Sequence, residues 1–212
     1  MQMALNLANE EIDTVTRGGC VLLKGVDFID KFSDISCNDM REKLYSSTKR
    51  YDYVIISQAW HSYDDSVRNF AISHDSYEKW SNLLTATVGH FLTLADQVII
   101  VGAHPSVTGT LAIQPSVTIN KAKFLVDLKK ITITNESELQ DAQQFFLIYE
   151  ENNRVSVIEP YRIFCTKQCV TSNDNWSYFS DSQHVSVTAT DFIKERIVQL
   201  LRKEPLTANL SF

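Results

Sequence analysis

The sequence has 212 residues, of which 44% are hydrophobic and 22% are charged, values typical of a folded globular protein. Its net charge of −6, without a basic cluster, argues against a nucleic-acid-binding surface. No apolar run is long enough to cross a bilayer, and Met1 leads into a mixed polar and apolar pattern that is unlike a secretory signal peptide. We therefore expect one domain over residues 1–212.

Hydrophobic periodicity predicts helices that alternate with strands along the chain. In chain order, it predicts a helix over 3–10, a strand over 12–16, a helix over 38–49, a strand over 51–57, a helix over 75–95, a strand over 97–102, helices over 119–130 and 137–152, a strand over 154–158, and a last helix over 188–203. The expected N-caps are Ser36 or Asn38, Asp75 or Ser76, and Thr188 or Thr190. The alternation is typical of a three-layer α/β domain with a mainly parallel sheet.

The predicted sheet places ligand-binding residues at the carboxyl ends of its strands. The continuous apolar centre of 51–57 predicts a strand that is buried on both faces. The segment 106–118 is polar and punctuated by Gly and Pro, so we expect it to be irregular. His104 directly follows the strand 97–102, a position from which its side chain would line a pocket.

A carboxylate precedes an imidazole by three residues at Asp181 and His184. Such a pair suits general-base catalysis, because the carboxylate holds the imidazole in the required tautomer and stabilises its protonated form. The alternative is a helix-capping loop in which Asp181 accepts hydrogen bonds from backbone amides and His184 is only exposed. Taken alone, the spacing favours the capping loop.

The chain has four cysteines, and two of them, Cys165 and Cys169, are separated by three residues. This spacing is not the C-x-x-C of redox or zinc-ribbon pairs, and no histidine lies near it at a metal-ligand spacing. Composition leaves open whether the four cysteines form disulfides or stay free thiols. We predict neither a metal site nor a cofactor.

The end of the chain carries the most specific pattern. It combines the acidic-proline turn Glu159-Pro160, the Cys165 and Cys169 pair, and the block Tyr178-Phe179-Ser180-Asp181-Ser182-Gln183-His184-Val185-Ser186 before a terminal helix. This arrangement resembles the end of an SGNH hydrolase-like domain. More narrowly, it resembles the SGNH domain fused to membrane O-acyltransferases of the acyltransferase-3 type, which acetylate bacterial surface polysaccharides. Val185 stands where that subfamily usually has Leu, while the segments 16–20 and 59–63 are also similar to it.

The resemblance implies a flavodoxin-like fold and assigns roles to particular residues. His184 would be the base and Asp181 its orienting carboxylate. Gly19, with Gly18 as a close rival, would donate backbone N–H groups to an oxyanion hole, although Gly18-Gly19 is as readily an ordinary turn after a strand. Trp60 would line the substrate site or belong to the core, and the core is favoured.

The sequence departs from the family pattern in two places. The family's nucleophile is the Ser of a Gly-Asp-Ser block, and neither this block nor the later Gly-x-Asn is present. Residues 1–10 look like the helix that follows the serine, so we expect the first strand and the nucleophile to lie upstream of Met1 and the chain alone to be inactive.

The implied function is transfer of an acyl group, acetyl in the family, to or from a cell-envelope glycan. The implied partners are an acyl donor, a glycan acceptor and a membrane acyltransferase domain of the same polypeptide. The family's SGNH domain faces the periplasm or cell exterior, which favours a Cys165–Cys169 disulfide and permits a Cys20–Cys37 disulfide. The alternative is a non-catalytic carbohydrate-binding or interaction domain on a degenerate hydrolase-like fold.

Overall fold

A computed structural model describes most of the elements expected at the centre and the end of the chain. The described residues are 13–15, 20–25, 37–57, 74–102, 104–108, 132–133, 146–149, 151–165, 170–172, 177–180 and 184–202. The chain divides into two compact units. The sheet unit comprises Asp13–Val101 and Phe145–Val157, and the His184 unit comprises Met1–Ile12, Gly102–Gln144 and Ile158–Phe212.

The described elements follow the predicted α/β pattern. They are α1 Cys37–Tyr45, β1 Tyr51–Ser57, α2 His74–Leu94, β2 Ala95–Val101, β3 Val107–Thr108, β4 Thr132–Ile133, β5 Val155–Ile158, α3 Pro160–Phe164 and α4 Val187–Leu201. The predicted helices over 38–49, 75–95 and 188–203 and the predicted strands over 51–57, 97–102 and 154–158 correspond to α1, α2, α4, β1, β2 and β5. The helices predicted over 3–10 and 119–130 lie outside the described residues.

The three longer strands form one parallel sheet in the order β1-β2-β5. β1 and β2 run in register from the pair of Tyr51 and Ala95 to the pair of Ser57 and Val101. On the other side of β2, Val98 N–H donates to Arg154 O at 2.9 Å, and four residues further along each strand Gly102 N–H donates to Ile158 O at 2.8 Å. From one hydrogen bond to the next, both strands advance by four residues in the same direction, as in a parallel pair. This confirms the predicted parallel α/β sheet.

Burial differs between the two central strands. In β2, Val98, Ile99 and Ile100 have no exposed surface, as an apolar run in a parallel sheet predicts. In β1 only Ile56 is buried, so the prediction that this strand is buried on both faces is wrong. The reason is its place at the end of the strand order, where one long side has no described neighbour.

Several local predictions are wrong. Asp13–Val15, predicted as strand, is irregular, and its Asp13 carboxylate contacts Lys49 Nζ at 2.6 Å and Tyr51 OH at 3.3 Å. Within the segment predicted to be irregular, β3 pairs antiparallel with β4. Residues 148, 149 and 151, predicted as helix, instead lie in turns.

The turns before β5 bring a charged side chain to the end of a helix. Arg154 Nη2 donates to Leu92 O at 2.8 Å and to Ala95 O at 2.6 Å, while its Nε donates to Asp96 O at 3.0 Å. Leu92 lies in the last turn of α2, and Ala95 and Asp96 begin β2. The guanidinium therefore gives charged donors to the carbonyls of this junction, of which Leu92 O is one that the helix leaves unpaired.

We predict that Arg154→Ala lowers the free energy of unfolding by about 1–2 kcal/mol, because three carbonyls lose a charged donor. Arg154→Lys should recover only part of this loss, since an ammonium lacks the guanidinium fork. Urea denaturation measures the change, and Arg50→Ala is the control because Arg50 is exposed in the same unit. Equal stability of the two alanine variants would contradict the prediction.

His90 on α2 lies against a cation and an aromatic cluster. Lys24 Nζ lies 3.3 Å from His90 Nδ1, and the imidazole contacts the rings of Tyr45 and Phe91 with centroid separations of 5.0 Å and 5.4 Å. Because an ammonium only donates, Nδ1 is the acceptor and Nε2 carries the proton. Burial and the neighbouring Lys24 ammonium lower the pKa of His90 from its ordinary value of 6.5.

We predict that His90 makes stability decrease on acidification. Because its pKa is lower in the folded chain, the unfolded chain binds the proton first as the pH falls below 6.5. The contribution of His90 is therefore complete above the ordinary pKa and is lost as the pH falls toward the folded pKa. Urea midpoints at about pH 7 and about pH 5.5 should differ less in His90→Gln than in the wild type. An unchanged difference would contradict this assignment.

Candidate active site

The candidate base lies in a short antiparallel frame. Phe179 and Val185 form an antiparallel bridge, Ser180 N–H donates to His184 O at 2.8 Å, and Ser186 N–H donates to Tyr178 O at 2.8 Å. The frame therefore consists of 178–180 on one side and 184–186 on the other. These bonds place His184 at the first paired position after the connecting residues 181–183.

Serine side chains reinforce this frame. Ser180 Oγ donates a second hydrogen bond to His184 O at 3.1 Å. Ser177 Oγ donates to Phe179 O at 2.7 Å and accepts from Phe179 N–H at 3.0 Å. Sequence reasoning assigned no role to either serine. Their position next to the Asp-x-x-His motif could have predicted these bonds, because Ser side chains commonly hydrogen-bond to nearby backbone groups.

Buried aromatic rings hold the frame in the core of the His184 unit. Phe179 and Tyr178 are 3% and 4% exposed, and their ring centroids lie 5.7 Å and 6.1 Å from that of Phe164 on α3. Phe164 O in turn accepts from Val170 N–H at 2.7 Å. The buried stretch ends at Phe179, because the next residue, Ser180, is exposed.

The helix α3 that carries Phe164 was not predicted. Pro160 is its first residue, a position that proline favours because it lacks the N–H that would be unpaired there. Glu159 Oε2 forms an ion pair with Arg162 Nε at 2.6 Å, three residues along the same segment. The acidic-proline turn after β5 is thus the start of a short helix.

Ser186 is the N-cap of α4. Its Oγ accepts from Ala189 N–H at 3.3 Å, and its carbonyl accepts from Thr190 N–H at 3.0 Å. The predicted caps, Thr188 and Thr190, both lie inside the helix, and Thr190 Oγ1 donates to Val187 O at 2.6 Å. The first turn of α4 therefore begins directly after the frame, and only Val185 and Ser186 separate His184 from the helix.

His184 itself is exposed, and its carbonyl is the acceptor that closes the frame. An exposed imidazole on a fixed backbone is accessible to a substrate, whereas a core histidine is not. Asp181, its predicted carboxylate partner, lies outside the described residues. The acid–base pair remains a prediction.

The other predicted site residues fall in different positions. His104 is half-buried, and its Nδ1 lies 3.1 Å from Pro105 O, so that Nδ1 carries the proton. Gly18, Gly19 and Trp60 lie outside the described residues.

Within the described part of the chain, no group of three or more His, Cys, Asp or Glu side chains could hold a metal ion. Nor does any described helix have the length and apolarity needed to span a membrane.

The cysteines are oxidised where the structure describes them. Cys20 and Cys37 form a disulfide, with Cα atoms 5.6 Å apart. Cys165 is also disulfide-bonded, and Cys169, its expected partner, lies outside the described residues. The Cys20–Cys37 pair that the resemblance permitted is confirmed, and free thiols are excluded at the three described positions.

Comparison with known proteins identifies the family. The family described as "SGNH domain (fused to AT3 domains)" matches residues 1–199. The chain therefore belongs to the SGNH domains that are fused to AT3 domains, as the end of the sequence indicated.

A solved structure shares the fold. The periplasmic domain of the lipopolysaccharide acetyltransferase of Salmonella ser. Paratyphi A is similar with a TM-score of 0.64 and 18% sequence identity. The similarity covers 95% of this chain and 77% of that one. No curated protein sequence matches the chain.

We predict that Ser186→Ala lowers the free energy of unfolding by about 1 kcal/mol, because the first turn of α4 loses its side-chain acceptor. Thr190→Ala is the matched control and should change stability by less than about 0.5 kcal/mol, since an alanine inside a helix is favourable. Thermal unfolding followed by circular dichroism measures both. A larger loss in Thr190→Ala than in Ser186→Ala would contradict the assignment of the cap.

Proposed function

We propose that this chain is the SGNH part of an O-acyltransferase that moves an acyl group, acetyl in the similar Salmonella protein, to or from a cell-envelope glycan. The observation that carries the proposal is the family match over residues 1–199, within which the His184 block lies. The fused AT3 domain of this family supports a membrane acyltransferase domain as the partner that supplies the acyl group.

In this proposal His184 is the general base. It removes the proton from the attacking hydroxyl and later returns it to the leaving group, while Asp181 stabilises the imidazolium. Backbone N–H groups of Gly19 and Gly18 stabilise the oxyanion of the tetrahedral intermediate. His104 and Trp60 contact the substrate. The paired frame supports the role of His184, because a base is effective only when its backbone is fixed.

The nucleophile is the serine of the family's Gly-Asp-Ser block, which these 212 residues do not contain. Without it, the His184 pair has no hydroxyl to activate for covalent catalysis. We therefore expect the polypeptide 1–212 on its own to be inactive.

Disulfides support an extracytoplasmic location. Cys20, Cys37 and Cys165 are all oxidised, a state that persists outside the reducing cytosol. The location fits a glycan acceptor of the cell envelope. It also fits the periplasmic domain of the similar acetyltransferase.

The test measures hydrolysis of 4-nitrophenyl acetate by the longest polypeptide that the gene encodes. We expect His184→Ala to lower kcat by about a hundredfold or more, because the serine loses its base. Arg50→Ala is the control, since Arg50 is exposed in the sheet unit. The chain 1–212 should not exceed the His184→Ala rate. Equal rates for His184→Ala and the wild type would remove His184 from the mechanism.

A second candidate is a non-catalytic carbohydrate-binding domain. The absence of Gly-Asp-Ser and of Gly-x-Asn from the sequence favours it. Calorimetric titration with envelope glycan distinguishes the two: glycan binding without any His184-dependent turnover in the longest polypeptide supports the binding domain.

A further inference from the structure

Helix α1 is short and largely polar. Two of the nine residues in Cys37–Tyr45 are buried, Cys37 and Arg41, and one of these is charged. Leu44 and Tyr45 pack against the core with part of their surface. Helices of fewer than about 12 residues are marginal in water, and most of their stability in proteins comes from an apolar face. Since α1 has little such surface, it depends on specific contacts with the rest of the sheet unit.

Three of these contacts come from one face of the helix. Cys37, Arg41 and Tyr45 are spaced four residues apart and therefore lie on the same side. Opposite them is the irregular segment 20–25. The three contacts are the Cys20–Cys37 disulfide, a hydrogen bond from Arg41 Nη1 to Val21 O at 2.7 Å, and a hydrogen bond from Tyr45 OH to Leu22 O at 2.6 Å. We call them the docking contacts.

The segment 20–25 is itself fixed to the core. Val21 and Leu23 are 1% and 0% exposed. Lys24 N–H donates to Thr87 Oγ1 on α2 at 2.8 Å. α1 therefore docks on a surface that α2 helps to hold in place, and α1 is the element that the docking contacts fix or release.

The two hydrogen bonds add modest net stability. Arg41 is 5% exposed, and its Nη2 also donates to Asn38 Oδ1 on the same helix. Because burying a charge is costly, the polar contacts of Arg41 largely offset this cost and specify where α1 docks. Burial raises the pKa of Tyr45 to about 12, so its hydroxyl remains a donor at neutral pH, but its bond replaces one that water would make. The covalent contact is therefore the strongest of the three.

The disulfide and the docked helix protect each other. The two cysteines are 17 positions apart, and the bond between them removes many of the arrangements in which α1 is undocked. Cys20 and Cys37 are 5% and 0% exposed. Thiol exchange requires direct attack on a sulfur atom, so a reducing thiol reaches this bond only after α1 moves away.

The strands of the sheet unit have a core of their own. Val98 and Ile100 on β2 are fully buried, and they belong to one cluster with Leu84 and Val88 on α2. β2 is also hydrogen-bonded to a strand on each side, β1 and β5. These interactions do not involve α1, so we expect the sheet and α2 to stay folded when α1 is released.

We propose that the Cys20–Cys37 pair is a redox switch for α1: oxidation docks the helix on Val21 and Leu22 and buries the bond, and the dithiol form releases the helix while the sheet stays folded. In the oxidation step each thiol gives up one proton and one electron to a disulfide reagent or a disulfide oxidoreductase, which becomes a dithiol. The sheet unit thus closes in a compartment where disulfides form and stays open at α1 in a reducing one. The inference does not depend on the role of His184, which belongs to the other unit.

The first test follows amide hydrogen exchange in the chain 1–212 by mass spectrometry. A variant that combines Cys20→Ala with Cys37→Ala stands for the dithiol form and leaves the disulfide of Cys165 intact. We expect the amides of 41–45 to exchange about a hundredfold faster than in the wild type, because the cross-link no longer opposes undocking. The amides of 98–100 in β2 should change by less than about threefold.

Two results of this measurement would overturn the switch. One is unchanged exchange of 41–45 in the double variant. The other is equal acceleration of 41–45 and 98–100, or a double variant that does not fold, because the disulfide would then stabilise the whole unit rather than control α1.

A second measurement tests whether docking shields the bond. The chain is treated with dithiothreitol and trapped with an alkylating reagent, and mass spectrometry quantifies the peptides of Cys20 and Cys37 separately from that of Cys165. We expect Tyr45→Phe to speed reduction of the Cys20–Cys37 bond by about fivefold, because loss of one docking hydrogen bond makes undocking more frequent.

Tyr51→Phe is the matched control for this rate. It also removes one phenolic hydroxyl from the sheet unit, but the Tyr51 hydroxyl contacts exposed Asp13 rather than the segment 20–25, so reduction should proceed at the wild-type rate. Equal reduction rates in Tyr45→Phe and the wild type would show that docking does not shield the bond and would overturn the proposal.

Discussion

The backbone pairing of 178–180 with 184–186 is the constraint on which the candidate site depends. It fixes His184 through a carbonyl that accepts from both the N–H and the hydroxyl of Ser180. The pairing is stable because Phe179 is buried against Phe164, so displacing the loop would expose an aromatic ring. An exposed imidazole on a rigid frame combines accessibility with fixed position. These are the two properties that a general base requires.

Each compact unit contains an irregular segment that is held in place, and the interactions that hold it differ between the two units. In the His184 unit, backbone pairing and aromatic packing hold the block before α4. In the sheet unit, a disulfide and two side-chain donors hold Cys20–Gly25 against α1. Both arrangements use few residues, and most of these are buried. Functional loops on a rigid scaffold generally need such support, because they have no ladder or helix bonds of their own.

The sequence predicted the structure well where a hydrophobic pattern is long or where a motif lies within a few neighbouring residues. The apolar run of β2 and the periodicity of α4 predicted elements within one or two residues, and the residues of the terminal block were enough to indicate the family. Short elements were missed: Val107–Thr108 is too short for a period, and Pro160–Phe164 was visible only through its initial proline. The hydrogen bond from Arg41 to the Val21 carbonyl could not be predicted, because the two residues are twenty positions apart and no local pattern links them.

The most direct test of the central claim, that this chain serves glycan O-acylation through His184, is the O-acetyl content of the envelope glycan. It is measured by ¹H NMR of glycan from cells that carry the gene with His184→Ala at its own locus, with protein level checked by immunoblot. The account predicts that the O-acetyl signals fall to the level of a gene deletion. O-acetylation at the wild-type level in the His184→Ala cells, with the deletion lacking it, would contradict the account.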